Sequence, residues 1–374
     1  MSTYLDHNAT TPMRPAAIDA MCAVLRECGN ASSVHAAGRA ARAHLDGARR
    51  SVAALVGADP GNVVFTGGGT EANNLALRGA GRTRVLVSAV EHDSVLRARP
   101  DAEVIPVDCD GLVRLDVLER MLAATAVPTL VSVMLANNET GTIQPVADVA
   151  SLARKHGAVV HCDAVQAAGK TPVDCVGLGV DYLTLSAHKL GGPQGVGALV
   201  LCGAAALTQA QAGGGQERGR RAGTENVAGI AGFGVAAAIA TTETCWIDGI
   251  RTLRDGVERR IAEESPGSRV FGAGTSRVAT TSCVTMPGVT SQTQLMAFDL
   301  RGVHVSTGAA CSSGKVRPSH VLKAMGVDDG TAGEAIRVSF GWSSVKADAE
   351  ALVGVWIDQF RRLSPRASRL SAAA

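Results

Sequence analysis

The sequence predicts an α/β protein with a large unit on a mostly parallel, seven-stranded sheet and a smaller α+β unit beside it. Three observations lead there. Short β-branched runs alternate with longer Ala/Leu/Arg segments of helical period, the pattern of βαβ units. With 374 residues, 46% of them apolar and 19% charged, the chain is long enough to bury a substantial core and to build more than one domain. After Thr241 the alternation gives way to a long helical stretch followed by weaker strand signals.

The strands of the large sheet are expected where short apolar runs occur: Val63–Phe65, Arg84–Ser88, Glu103–Pro106, Thr129–Leu135, Ala158–Cys162, Tyr182–Ser186 and Gly197–Leu201. Helical spacing of apolar residues places helices at Pro15–Glu27, Arg39–Val56, Leu115–Ala124, Val146–Lys155 and Asn226–Ala240. The smaller unit reads as a helix over Ile250–Glu264, strands at Ser282–Met286 and Ala335–Phe340, and a last helix near Ala347–Arg362. These elements divide the chain into a large unit over residues 14–245 and a small one that joins 1–13 to 246–374. The tail Ser364–Ala374 has few apolar anchors and is expected to fray.

Composition removes several functional classes. Net charge is +2, with the signs interspersed, so bulk charge predicts neither a nucleic acid nor an anionic membrane as partner. The start, MSTYLDHNATTP, carries no basic and apolar leader, and no run approaches the roughly 18–20 apolar residues that span a bilayer. Nine cysteines, an odd number without a CxxC pair, argue for a reducing, cytoplasmic setting rather than a disulfide framework. No metal site is expected. His161-Cys162-Asp163 is rich in ligand types, but successive strand residues face opposite sides of a sheet.

Three motifs carry chemistry. SAHKLGGPQGVG, from Ser186 to Gly197, follows an apolar strand and sets Lys189 among glycines, which reads either as an amine desolvated and made nucleophilic at a ligand site or as an ordinary lysine in a surface loop. FTGGGTEANNLALRG, from Phe65 to Gly79, runs from a strand through three glycines and Thr70 into a helix, which suits either a phosphate cradle or a plain tight turn. HCDAVQAAGK, from His161 to Lys170, ends a strand on Asp163, a carboxylate that either caps the next helix or faces a cation such as a pyridinium nitrogen. A phosphate site, a ring-nitrogen partner and a Schiff-base lysine together suit pyridoxal 5′-phosphate (PLP).

The chain resembles the NifS/IscS-like cysteine desulfurases, class V aminotransferases of PLP fold type I. The resemblance runs from YLDHNATTP at Tyr4 to about Gly341 and rests on TEANN, EHDSV, NNETG, DAVQ, SAHK, RAGTEN and STGAACSSG. It implies that Gly69 and Thr70 hold the cofactor phosphate with Ser186 and His188, and that His92 stacks on the ring. It implies that Asn138 and Gln166 contact the ring substituents, that Asp163 pairs with the ring nitrogen, and that Lys189 binds PLP as a Schiff base. It implies further that Arg337 of AIRVSFG clamps the substrate carboxylate, with Asn8 beside it, and that Thr224 reaches the phosphate of the neighbouring subunit of a homodimer. Leu135 departs from the pattern, since the resembling enzymes often have His there, and the stretch after Leu363 is short where they carry a segment that docks an acceptor.

Cys311, in the small-residue stretch Ser306–His320, discriminates among PLP enzymes, and Lys315 and Arg317 favour its thiolate. The other eight cysteines read as buried core residues. The resemblance implies that L-cysteine displaces Lys189, which then removes the α-proton, and that Cys311 takes the sulfur as a persulfide. The products are L-alanine and sulfur for an acceptor protein, such as an iron–sulfur scaffold or a thiolation factor. The alternatives are a selenocysteine or cysteine-sulfinate lyase of the same fold and a non-enzymatic phosphate-binding module.

Overall fold

A computed structural model describes residues 2–202, 206–307 and 318–365. The described strands are β1 Thr3–Tyr4, β2 Val63–Thr66, β3 Arg84–Ser88, β4 Glu103–Ile105, β5 Thr129–Ser132, β6 Val159–Asp163, β7 Tyr182–Ser186, β8 Gly197–Leu201, β9 Thr281–Thr285, β10 Val303–His304 and β11 Ala335–Ser339. Seven of them form one sheet in the order β2-β8-β7-β6-β5-β3-β4. Neighbours from β7 through β4 run parallel, each joined by a crossover. β8 runs antiparallel to both β7 and β2, because the short 187–196 connection returns the chain directly. The two reversals cancel, so β2 points the same way as the parallel strands. The chain therefore leaves β2, β3, β5, β6 and β7 at one edge of the sheet, where ligands of open α/β sheets bind.

Alternation along these strands buries both faces. Phe65, Leu86, Val131, Leu183 and Val200 join one apolar cluster with Leu45, Val149 and Phe233 of flanking helices. Their sequence neighbours Val64, Val87, Leu130, Tyr182 and Leu199 join another with Leu75 and Leu77 of helix Gly69–Gly79. Each fully buried Leu or Val contributes about 1.5–3 kcal/mol relative to leaving it exposed.

A further core gathers Leu5, Val257, Val284, Phe298, Val338 and Trp356. It is built on the antiparallel pair β9–β11 and the helices Trp246–Glu264 and Lys346–Leu363. The N-terminal β1 lies parallel to β10, which draws the start of the chain into this core. Among the described residues, no single helix is long and apolar enough to cross a membrane.

Several boundaries differ from expectation for local reasons. The helix expected from Arg39 begins at Ala36, because the His35 ring caps the Gly38 amide at 3.3 Å. The strand expected over Thr129–Leu135 stops at Ser132, yet Leu135 still donates its amide to the Asp163 carbonyl at 2.9 Å. A helix over Ser291–Asp299, capped by Thr290, had no clear signal in the sequence. The tail is not free from its first residue: Ser364 is buried and donates its hydroxyl to the Pro287 carbonyl at 2.7 Å. Four cysteines expected in the core, Cys22, Cys28, Cys109 and Cys245, are exposed, whereas Cys162, Cys175, Cys202 and Cys283 are buried.

Candidate active site

The chain leaves β7 at Ser186 and makes one short 3₁₀ turn, Ala187–Lys189. Backbone bonds from Ala187 to Val196 and from Gly192 to Ala187 stitch this connection closed and aim Lys189 away from it. The Lys189 amine donates to the Asn8 carbonyl and, at 2.7 Å, to the Ala9 carbonyl. Burial, reinforced by the Arg337 charge and opposed by Asp6 and Asp163, lowers its pKa from 10.5 to about 8.

The Gly-rich turn after β2 lies against the same connection. A Cβ added at Gly197 would fall 2.5 Å from the Gly68 carbonyl carbon, so two backbones touch where any side chain would separate them. A Cβ at Gly69 would press on Val165 at 3.0 Å and on Ser186 at 3.4 Å, which joins all three sequence motifs at one point. Helix Gly69–Gly79 begins there with no side chain capping its first amides. Uncapped amides at a positive dipole end, beside Thr70 and Ser186, form a cradle for an anion. The His188 ring bonds Thr10 at 3.2 Å, and burial, reinforced by the Lys189 charge, lowers its pKa to about 4, so it is neutral at pH 7.

Asp163 ends β6 and is buried. One oxygen accepts from the Val165 amide at 2.9 Å, the other from the Asn73 side chain at 2.7 Å. Asn73 also donates to the Ser94 hydroxyl at 2.8 Å, which bonds the His92 ring at 2.8 Å. His92, expected above a cofactor ring, and Asp163, expected at its nitrogen, are thus braced by one chain of contacts. Both hydrogen bonds to Asp163 come from neutral donors, so the carboxylate keeps capacity for a cation. By contrast His161, two residues earlier, bonds Ser132 at 2.8 Å and Thr184 at 3.0 Å, with its pKa lowered by burial to about 4. It is a satisfied core residue, and Cys162 between them points into the opposite apolar cluster.

Strand β11 brings a further charged side chain to the site. Arg337 on β11 pairs with Asp6 and donates to the Asn138 carbonyl at 3.2 Å, while its buried Nε has no partner among the described residues. An unpartnered guanidinium N–H beside Lys189 suits a carboxylate ligand. Asn8 lies close, but its side chain is engaged within the protein, donating to the Asn138 carbonyl and Thr281 and accepting from Lys170. Both of its side-chain hydrogens are thereby used within the protein. Gln166 donates to the Asn8 carbonyl at 2.9 Å. Thr224 is exposed. Cys311 lies outside the described residues. The described flanks of its segment are tied to the site: Ser306 pairs with Arg337, Ser319 donates to Glu139, and the His320 ring bonds the Glu91 carbonyl at 2.9 Å.

Sequence reasoning missed Asn73, Ser94 and Lys170. The first two lie inside TEANN and EHDSV, but neither motif shows that their side chains meet. The cradle at Gly69, the cation-free Asp163 and the amine of Lys189 fit PLP: an anion site, a ring-nitrogen partner and a nucleophile.

Comparison with known proteins agrees. A family model described as aminotransferase class-V matches residues 3–352. A cysteine desulfurase of Cereibacter sphaeroides is 43% identical over 97% of each chain. An IscS-like cysteine desulfurase of Mycobacterium tuberculosis is 41% identical over 94% of each. The crystal structure of a NifS-like protein from Rickettsia africae superposes with a TM-score of 0.90 at 34% identity, covering 96% of this chain and 99% of that one.

Proposed function

The chain belongs to the class-V aminotransferase family, and on that basis we propose that the sheet-edge site is the active centre of a PLP-dependent cysteine desulfurase. It converts L-cysteine to L-alanine and hands the sulfur to an acceptor protein, as an iron–sulfur scaffold or thiolation factor would receive it. The observation that carries the assignment is the meeting of Lys189, Asp163 and the Gly69 turn at one sheet edge, with Arg337 facing them. The test is release of alanine from L-cysteine by the purified protein, with selenocysteine and cysteine sulfinate as comparison substrates. A protein that releases nothing from cysteine but acts on either comparison substrate overturns the assignment.

In this reading the amides of Gly69 and Thr70, with Ser186 and His188, hold the phosphate. Asp163 faces the ring nitrogen, the His92 ring covers one face, and Asn138 and Gln166 lie at the ring substituents. When bound, PLP supplies the electron sink that makes the α-proton of an amino acid removable. Lys189, with its lowered pKa, attaches the cofactor as a free amine and afterwards takes up the proton from the substrate Cα. Arg337 holds the substrate carboxylate and so orients that Cα toward Lys189. The thiolate of Cys311 takes the substrate sulfur, forming a persulfide as the carbon–sulfur bond of cysteine breaks. The division into a unit over 14–245 and one over 1–13 with 246–374 belongs to the same proposal, with the site between them.

Two outcomes test the residue roles. Arg337→Lys is expected to raise KM for cysteine at least about tenfold while PLP affinity changes little, because the charge stays and the planar fork is lost. An unchanged KM moves the carboxylate site elsewhere. Thr224 is assigned to the phosphate of the partner subunit in a homodimer. Mixing Thr224→Ala chains with Lys189→Ala chains should therefore restore about a quarter of wild-type activity. Half of the dimers are then mixed, and each mixed dimer gathers both lesions in one of its two sites. Mixed dimers that show no activity overturn the assignment.

A further inference from the structure

Lys170 is buried four residues after Gln166 in the turn that follows β6, and the mechanism above gives it no task. Its amine donates to the Gln166 side-chain oxygen at 2.6 Å and to the Asn8 side-chain oxygen at 2.9 Å. Both partners are neutral, and among the described residues no carboxylate pairs with it. The charges that face it are Lys189 and Arg337, both cations, and it lines one cavity with Lys189, His7 and Arg14.

A protonated lysine in that position would be a buried cation without a counter-ion beside two others, and burial with these neighbours lowers its pKa well below 10.5. The hydrogen-bond count agrees with a neutral amine, which has two hydrogens and here two acceptors. The consequence falls on Gln166. Because its oxygen is occupied by Lys170, its amide nitrogen must turn to the Asn8 carbonyl, which uses one N–H and leaves the other for the site.

We propose that Lys170 is a positioning residue that locks Gln166 with its donor end toward the cofactor's phenolic oxygen and so sets the protonation of the Lys189–cofactor linkage. This rests on the reading of the site as a PLP centre. A donor on the phenolic oxygen draws off the electron density that holds the linkage's proton, so the linkage releases that proton at lower pH. The groups that also bear on that proton are Asp6, Asp163, Arg337, His7 and His188, and none of them is altered by the variants below.

The test is a pH titration of the visible absorbance of the PLP-loaded, full-length protein, a readout independent of turnover. Lys170→Met keeps the volume and removes the donor, and the midpoint is expected to rise by about one pH unit, the tenfold effect of one lost hydrogen bond. Gln166→Ala should produce the same rise, and it stands as a separate test if Lys170→Met does not fold. In the double variant, Lys170→Met should add nothing to Gln166→Ala, because the lysine acts through the glutamine. A rise that persists undiminished in the Gln166→Ala background, or no rise in either single variant, overturns the proposal. A wild-type protein whose cofactor, trapped by borohydride, lies on a lysine other than Lys189 overturns the site reading itself. The two failures are thereby told apart.

Discussion

Replacing Lys189 by alanine is expected to lower turnover of cysteine at least about 10⁴-fold, because one residue is both the nucleophile and the proton carrier. The lowered pKa says why this lysine is suited to the task. A shift from 10.5 to about 8 raises the free-amine fraction at pH 7 roughly 300-fold. Capture of PLP by the apoenzyme should accordingly rise with pH and reach its half-point near 8 rather than near 10.5. The sign for stability runs the other way. The unfolded chain protonates Lys189 more readily than the folded one, so folding bears a penalty that begins below pH 10.5 and is complete below about 8. Lys189→Ala removes that penalty, and the loss of activity should come without loss of fold, as circular dichroism would report. Borohydride reduction and peptide mapping of the wild type should find the cofactor on Lys189.

Cys311→Ser is expected to abolish alanine release, by at least about 10³-fold, while PLP loading is retained. A free thiol is a few per cent thiolate at neutral pH, whereas a serine hydroxyl is almost wholly protonated and its oxygen is a poor acceptor of sulfur. Cysteine should still bind at Arg337 and alter the visible spectrum of the variant. Mass spectrometry of the wild type after exposure to cysteine should find one added sulfur on the peptide that holds Cys311. Other thiols make a control necessary: Cys22, Cys28, Cys109 and Cys245 are exposed. Serine at each of those positions should leave alanine release unchanged. A Cys311→Ser enzyme that makes alanine at the wild-type rate would sink the persulfide role.

Much of this molecule is written in short stretches of chain. Arg84–Ser88, Tyr182–Ser186, Gly197–Leu201 and the helix Val146–Lys155 occur at the bounds that their apolar periodicity predicts. The motif residues Gly69, Asp163 and Lys189 were legible for the same reason, since a strand end followed by glycines or by a lone charge is a local signal. Cys311 too was legible only as sequence.

What the tertiary structure alone decided is how these pieces face one another. The reversal of β8, which brings the β2 turn to the same edge as β7, depends on which strand the chain chooses as neighbour. Arg337 owes its orientation to Asp6, 331 residues away, and Asp163 owes one of its donors to Asn73, 90 residues away. Lys170 read as an unremarkable residue at the end of DAVQAAGK, and only packing shows it buried among cations with two neutral acceptors. The physical reason is common to all three. Periodicity records which side of an element is apolar, but the partner of a buried polar group is set by where distant segments pack, and no local pattern carries that information.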